Sequence, residues 1–244
     1  MYSTSFININ GDKKQSKIKI IFYVFVNFFQ NLYLNLHPKK FRYIKFKNKY
    51  KKVNFNNKHS ISRKLCSLFW KNINWKILNN HLGNLNIHEL GAGDGTYFKD
   101  DIAIKNKFYK KYSGYDINPH DNWKKFKSKK INYKKFNGFN FSETFDKQTN
   151  IFISQSCLEH VRYDLKYFKE IKKFSRKNKN KIMFIHFVPS PFCLFTYLTH
   201  GYRQYNINNL NKISSIFSKE NLVVCKLGNL SLNFHHLTKT TLPL

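Results

Sequence analysis

Apolar residues between positions 61 and 82 recur at spacings of three and four, at Leu65, Leu68, Phe69, Ile73, Trp75, Ile77, Leu78 and Leu82, as one buried helical face requires. Past Leu82 the pattern changes. Short apolar runs follow at 87–90, 112–115, 131–136, 151–153 and 182–188, with polar segments of helical length between several of them. Strands alternating with helices form βαβ units, whose right-handed crossovers build a parallel sheet covered on both faces. A further helix is predicted at 208–220, and two more strands near 222–227 and 230–234. Upstream, 18–36 reads as an apolar helix, 1–16 is polar and expected to lack structure, and 38–60 is basic and Asn-rich with little periodicity. The expected organisation is a basic N-terminal extension over 1–59 and one α/β domain over 60–244, because 244 residues are too few for two ordinary domains with independent cores.

A formal charge of +31 would ordinarily point to a polyanionic partner. Here Lys, Asn, Ile, Phe and Tyr are over-used together along the whole chain, as an AT-rich coding sequence would produce. The charge is therefore read as a solvated surface, and no dedicated nucleic-acid partner is expected. Cys66, Cys157, Cys193 and Cys225 form neither a CxxC pair nor a His/Cys cluster, which argues against structural zinc or a disulfide framework and fits a reducing cytoplasm. Residues 20–29 contain a single polar side chain, Asn27, but the run is short of the about 20 apolar residues that a helix needs to cross hydrocarbon. Two readings of 18–36 stay open. The helix packs on the domain, or it lies in an anionic membrane surface, flanked by Lys13, Lys14, Lys17, Lys19, Lys39 and Lys40, which would place the protein at the cytoplasmic face.

The segment ELGAGDGT, Glu89 to Thr96, stands where the first predicted strand of the domain ends. Its glycines, Gly91, Gly93 and Gly95, let the backbone turn tightly and approach a ligand, at the strand end where open α/β sheets bind ligands. The spacing is GxGxG. A dinucleotide fingerprint would place its third glycine where Thr96 stands, and Glu89 would repel a pyrophosphate while suiting an ammonium group. The next strand ends in Asp116 of YSGYDINP, 27 residues after Glu89, where a carboxylate can accept hydrogen bonds from both hydroxyls of a ribose or can cap the turn before Pro119.

Taken together, ELGAGDG, YDINP and QSCLEHV at 155–161 resemble the class I S-adenosylmethionine-dependent methyltransferases, in the small-molecule branch that carries a Leu-Glu-His after the fourth strand. The resemblance covers roughly 61–188. It implies a Rossmann-like, seven-stranded, mostly parallel sheet with helices on both faces and an antiparallel last strand, for which 222–234 could supply the final two strands. It also implies S-adenosyl-L-methionine as cofactor, with Glu89, Gly91, Ala92, Gly93 and Asp94 around its methionine end and Asp116 on the ribose. Ile117 would lie against adenine, and Gln155, Ser156 and Cys157 would border the sulfonium. The acid that many members carry after the third strand is absent, and Asn137 of KKFNGFNF is the nearest match. Beyond Val188, VPSPFCLFTYLTHGYRQY is similar to methyltransferases that occur with cell-surface polysaccharide enzymes.

In methyl transfer the cofactor carries the electrophile, so the protein chiefly positions and desolvates the partners. A base is needed only when the acceptor must lose a proton, and His160 is the candidate. His186 and the aromatic segment 189–205, with Tyr202 and Arg203, are candidate acceptor contacts, the Arg203 fork suiting a carboxylate or phosphate. His235 and His236 are adjacent, so on a strand they point to opposite faces, and no metal is expected. QSCL lacks the NPPY-like element of enzymes that methylate base amines. The expected acceptor is therefore a small molecule or glycan-linked group, such as a nucleotide- or lipid-linked sugar. The alternatives are an RNA methyltransferase using the basic surface, a quinone or lipid methyltransferase, and a non-catalytic binding module of the same fold.

Overall fold

The computed structural model describes residues 2–5, 7–47, 60–103, 107–178, 181–195, 199–217 and 222–228. In chain order the regular elements are α1 (Lys17–Leu34), β1 (Arg42–Lys45), α2 (Ile61–Asn72), α3 (Trp75–Leu82), β2 (Leu85–Leu90), β3 (Tyr109–Asp116), α4 (Asn122–Phe126), β4 (Ile131–Lys135), β5 (Ile151–Gln155), α5 (Asp164–Asn178), β6 (Met183–Phe187), α6 (Ile207–Ile216) and β7 (Val223–Lys226). Two compact units divide the chain. The first comprises Met1–Phe69, Glu159–Phe168 and Val188–Leu244, and the second Trp70–Leu158 and Lys169–Phe187.

The second unit contains a five-stranded sheet, parallel throughout, in the order β4-β3-β2-β5-β6. The fold is therefore α/β with a mostly parallel central sheet, and all five central strands fall where the apolar runs predict them. β2 is buried at every position and β5 likewise, as strands in the middle of a covered parallel sheet must be. Numbered from β2, the order reads 3-2-1-4-5, which places the reversal of strand order between β2 and β5. Phe174 of α5 packs its ring edge-on against Phe152 of β5 and against Phe145.

Several boundaries differ from expectation for local reasons. The single helix predicted over 61–82 is two, because the Asn74 side chain accepts the Ile77 N–H at 3.1 Å and caps a new helix start. The helix predicted at 208–220 starts at Ile207, where Asn206 caps it by accepting the Asn209 N–H at 3.0 Å, and its described part ends at Ile216.

The first unit departs further. Residues 42–45, expected to lack periodic structure, form β1, which pairs in parallel with β7 in a separate two-stranded sheet. The strand expected near 222–227 is thus present as β7 but pairs with β1, while the strand expected at 230–234 lies outside the described residues, as do His235 and His236. The N-terminal segment is not loose: Thr4 is fully buried, its N–H and hydroxyl donating to the two carboxylate oxygens of Asp164 at 2.9 and 2.6 Å. Satisfying a buried carboxylate is what fixes these residues, and polarity alone does not reveal it. The helix expected at 18–36 is α1, and among the described residues no helix is long and apolar enough to cross a membrane.

Candidate functional site

In the second unit the glycine turn follows β2 directly. The Gly91 and Ala92 N–H groups both donate to the Tyr115 carbonyl of β3, at 2.8 and 3.0 Å, which anchors the turn to the neighbouring strand. Two of its glycines are required for opposite reasons. Gly91 has φ +74°, and a Cβ there would collide with Cys157, so the chain after β2 and the chain after β5 approach at a spacing that only glycine permits. Gly93 has φ +52°, but the space a Cβ would enter is empty to 4 Å. Gly91 closes the turn inward, and Gly93 leaves it open outward.

Asp116, at the end of β3, ties this turn to the next strand. One carboxylate oxygen accepts the Gly93 N–H at 2.9 Å and the other the Asn118 N–H at 3.1 Å. An ionised carboxylate offers about four lone-pair sites, so capacity for hydroxyl donors remains. Ile117 is 57 % exposed, and a Cβ on Gly138 would stand 3.7 Å from its methyl group, which puts Asn137 and Gly138 beside Ile117. Asn137 itself is exposed, and its side-chain oxygen accepts the Phe139 N–H at 2.9 Å.

Glu89 is buried in β2, where it accepts the Tyr112 hydroxyl at 2.6 Å. Loss of hydration and the Glu89 charge together push the Tyr112 phenol well above its ordinary pKa, so it stays a proton donor to that carboxylate. Asp94 accepts from the Thr96 hydroxyl and N–H at 2.7 and 3.0 Å. Burial works against its charge, but those two bonds with His120 and Asn122 hold its carboxyl below the usual range. Gln155, at the end of β5, is buried and accepts from the Trp70 indole at 3.0 Å. Ser156 is the one described non-glycine residue with positive φ, +47°.

Glu89, Gly91, Ala92, Gly93, Asp94, Asp116, Ile117, Asn137, Gln155 and Ser156 thus all belong to the second unit, at or near the carboxyl ends of β2, β3, β4 and β5. Sequence reasoning missed the aromatic supports. The Trp123 indole donates to the Gly93 carbonyl at 2.7 Å and stacks on Tyr133, whose hydroxyl faces Gly95. No motif spacing announces such contacts, although Trp123 follows YDINP by a few residues.

The candidate acceptor residues fare differently. His186 on β6 belongs to the second unit and shares a hydrogen bond of 2.8 Å with the Ser154 hydroxyl. Loss of hydration, and then the nearby His88, lower its pKa to about 3, so it is a neutral imidazole near pH 7. Tyr202 and Arg203 belong to the first unit. Arg203 is 2 % exposed, with one terminal nitrogen donating to the Val161 carbonyl at 2.6 Å and the other to the Arg162 carbonyl at 3.0 Å and the Ser3 hydroxyl at 3.2 Å. Its fork, expected to grip an acceptor, is instead committed to the chain, with Asp164 3.5 Å away.

His160, also in the first unit, lies 2.8 Å from Asp12 through Nδ1. The other Asp12 oxygen is 3.2 Å from His200 Nδ1, and the buried Glu159 carboxylate lies 3.7 Å from His200 Nε2. The Glu159 hydrogen bond and charge, with Asp12, raise the His200 pKa against the effect of burial. Among the described residues, Asp12, His160 and His200 form the group of side chains whose ligand atoms, within 4.8 Å of one another, could hold a metal ion. Positions 12, 160 and 200 are too far apart in the chain for spacing to have suggested it.

No protein-family model matches the chain, and no curated protein matches its sequence.

Proposed function

We propose that the chain is an S-adenosylmethionine-dependent methyltransferase acting on a small-molecule or glycan-linked acceptor, such as a sugar on a nucleotide or lipid carrier. The observation that carries the reading is the placement of the glycine turn, Asp116 and Ser156 around the point where strand order reverses. Open α/β sheets bind ligands in the crevice at that point, outside the carboxyl ends of the strands. The turn follows β2 and Ser156 follows β5, the two strands that flank the reversal. The strained backbone of Ser156 belongs to the same pattern, since left-handed non-glycine residues concentrate at working sites.

The residues present fit the cofactor. The open side of Gly93 admits a ligand against bare backbone, Asp116 has lone pairs left for the ribose hydroxyls, and exposed Ile117 offers an apolar face for adenine. Glu89 and Asp94 supply negative charge for the ammonium end, and Gln155 and Ser156 border the position proposed for the sulfonium. When bound, the cofactor supplies a methyl group on a positively charged sulfur, so the chain's own work is to orient the two partners and exclude water. His160, with Nδ1 2.8 Å from Asp12 and Nε2 4.0 Å from Glu159, is the proposed base for acceptors that must lose a proton.

Calorimetric titration with S-adenosylhomocysteine, beside an Asp116→Ala variant, tests the proposal. Saturable binding by the wild type is expected. Charge-assisted hydrogen bonds contribute about 1.5–3 kcal/mol each, so the variant should bind roughly 10- to 150-fold more weakly for each bond lost. Absence of binding by folded wild-type protein would remove the enzyme reading.

A further inference from the structure

Helix α1 is amphipathic in the reverse sense. Its buried positions are Tyr23, Asn27, Asn31 and Leu34, two of them amides and a third carrying a hydroxyl. Tyr23 donates to the His200 and Gly201 carbonyls at 3.0 Å each, and Asn31 bonds the side chains of Gln204 and Asn206 at 3.2 and 3.1 Å, so a polar face holds the helix on the first unit. Ile18, Phe22, Phe25, Phe29, Leu32 and, just past the helix, Leu36 recur at spacings of four and three, and each is between 53 and 84 % exposed. At about 100° per residue these two sets point to opposite sides of the helix. A continuous apolar stripe of this kind is not left in water without a partner.

We infer that this stripe docks on an anionic lipid surface, with α1 lying in the plane of the interface. Charge selects the bilayer over another protein surface. Exposed Lys13, Lys14, Lys17 and Lys19 cluster at the start of the stripe, Lys39 and Lys40 follow it, and no Asp or Glu occurs between Asp12 and Glu89. Apolar side chains on one face with basic flanks are what an interfacial helix needs, the first inserting below the headgroups and the second meeting their phosphates. The same lysines would oppose pairing of two copies through this face, since both partners carry the same charge. Among the described residues no helix is long and apolar enough to cross a membrane, and α1 is proposed to lie along the surface. A membrane-bound acceptor, such as a lipid-linked sugar, would then be presented to the enzyme in two dimensions, although the docking does not depend on the methyltransferase reading.

Co-sedimentation of the full chain with phosphatidylcholine vesicles, and with vesicles that also contain phosphatidylglycerol, tests the inference. The wild type should sediment with the anionic vesicles and stay largely in solution with the zwitterionic ones. A Phe22→Ser/Phe25→Ser/Phe29→Ser variant keeps every charge and alters only exposed positions, so its circular dichroism should be unchanged while bound protein falls at least tenfold. A Lys17→Glu/Lys19→Glu variant should lose anionic binding by a smaller factor. Equal binding by the triple variant would show that charge alone acts and would overturn the inference. So would a wild type that ignores anionic vesicles and sediments as a dimer that the triple variant dissolves. Titration with S-adenosylhomocysteine on the same samples reads the cofactor site separately.

Discussion

The two compact units solve the problem of holding a chain together in different ways. In the second, the ties are backbone ladders between strands and short-range anchors such as Asp116 to Gly93 and Tyr112 to Glu89, each spanning 23 residues. In the first, side chains join segments far apart in the chain: Thr4 to Asp164 across 160 residues, Tyr23 to Gly201 across 178 and Arg203 to Ser3 across 200. The contrast separates a part whose stability rests on burying apolar strands from a part whose stability rests on satisfying buried polar groups. The latter fails abruptly when one partner is lost, because a buried charge or dipole then goes uncompensated.

The largest effect should therefore follow from Asp164→Ala. It removes the acceptor for Thr4 and Tyr205 and the carboxylate 3.5 Å from buried Arg203, and breaking such a buried pair costs about 3–5 kcal/mol. Urea denaturation should show a lower midpoint, and an unchanged midpoint would erase the contrast. In the second unit Gly91→Ala drives a methyl group into Cys157, and overpacking of this sort costs about 1–3 kcal/mol. Gly93→Ala meets open space but still forces alanine to φ +52°, so it should lose less stability than Gly91→Ala, which adds the clash to a similar strain, while weakening S-adenosylhomocysteine binding.

Next comes a pH effect in the second unit. His88 in β2 is fully buried, and loss of hydration lowers its pKa to about 3 from an ordinary value of 6.5. Thr144 donates its hydroxyl to the Phe141 carbonyl and so must accept from His88 Nε2, which fixes the neutral tautomer. Well above pH 6.5 neither the folded nor the unfolded histidine is charged. As pH falls from 6.5 towards 3 the unfolded chain takes up the proton first, so stability declines by about 1.4 kcal/mol per pH unit for this residue. Denaturation midpoints for a His88→Phe variant should fall less steeply over that window. The smallest effect should come from Trp123→Phe, which removes one hydrogen bond to Gly93, worth about 0.5–1.5 kcal/mol, while keeping the ring against Tyr133. A larger loss of cofactor binding than of stability would show that Trp123 shapes the turn.

The central strands and the turn between β2 and the segment after it were legible because their signals are local. Apolar runs bounded by polar segments, and three glycines at alternate positions, are written over a few residues. Asp116 was legible for the same reason, as the last residue of a strand. The partners of Arg203 were not legible, because nothing near it in sequence announces the Val161 and Arg162 carbonyls that occupy its fork. The pairing of β1 with β7 was equally hidden, since a four-residue edge strand with every position exposed in β1 has no alternation to read.

The sequence by itself therefore determined an α/β fold, the places of the five strands of its parallel sheet, and the position of a glycine turn with an acid one strand later, because strand periodicity and backbone freedom are properties of neighbouring residues. Only the tertiary structure decided which face of α1 is buried, that Asp12, His160 and His200 converge, and that Asp164 gathers Thr4, Arg203 and Tyr205. Those outcomes depend on which distant polar group satisfies which, and a hydrogen bond across 160 residues leaves no trace in the local pattern of either partner.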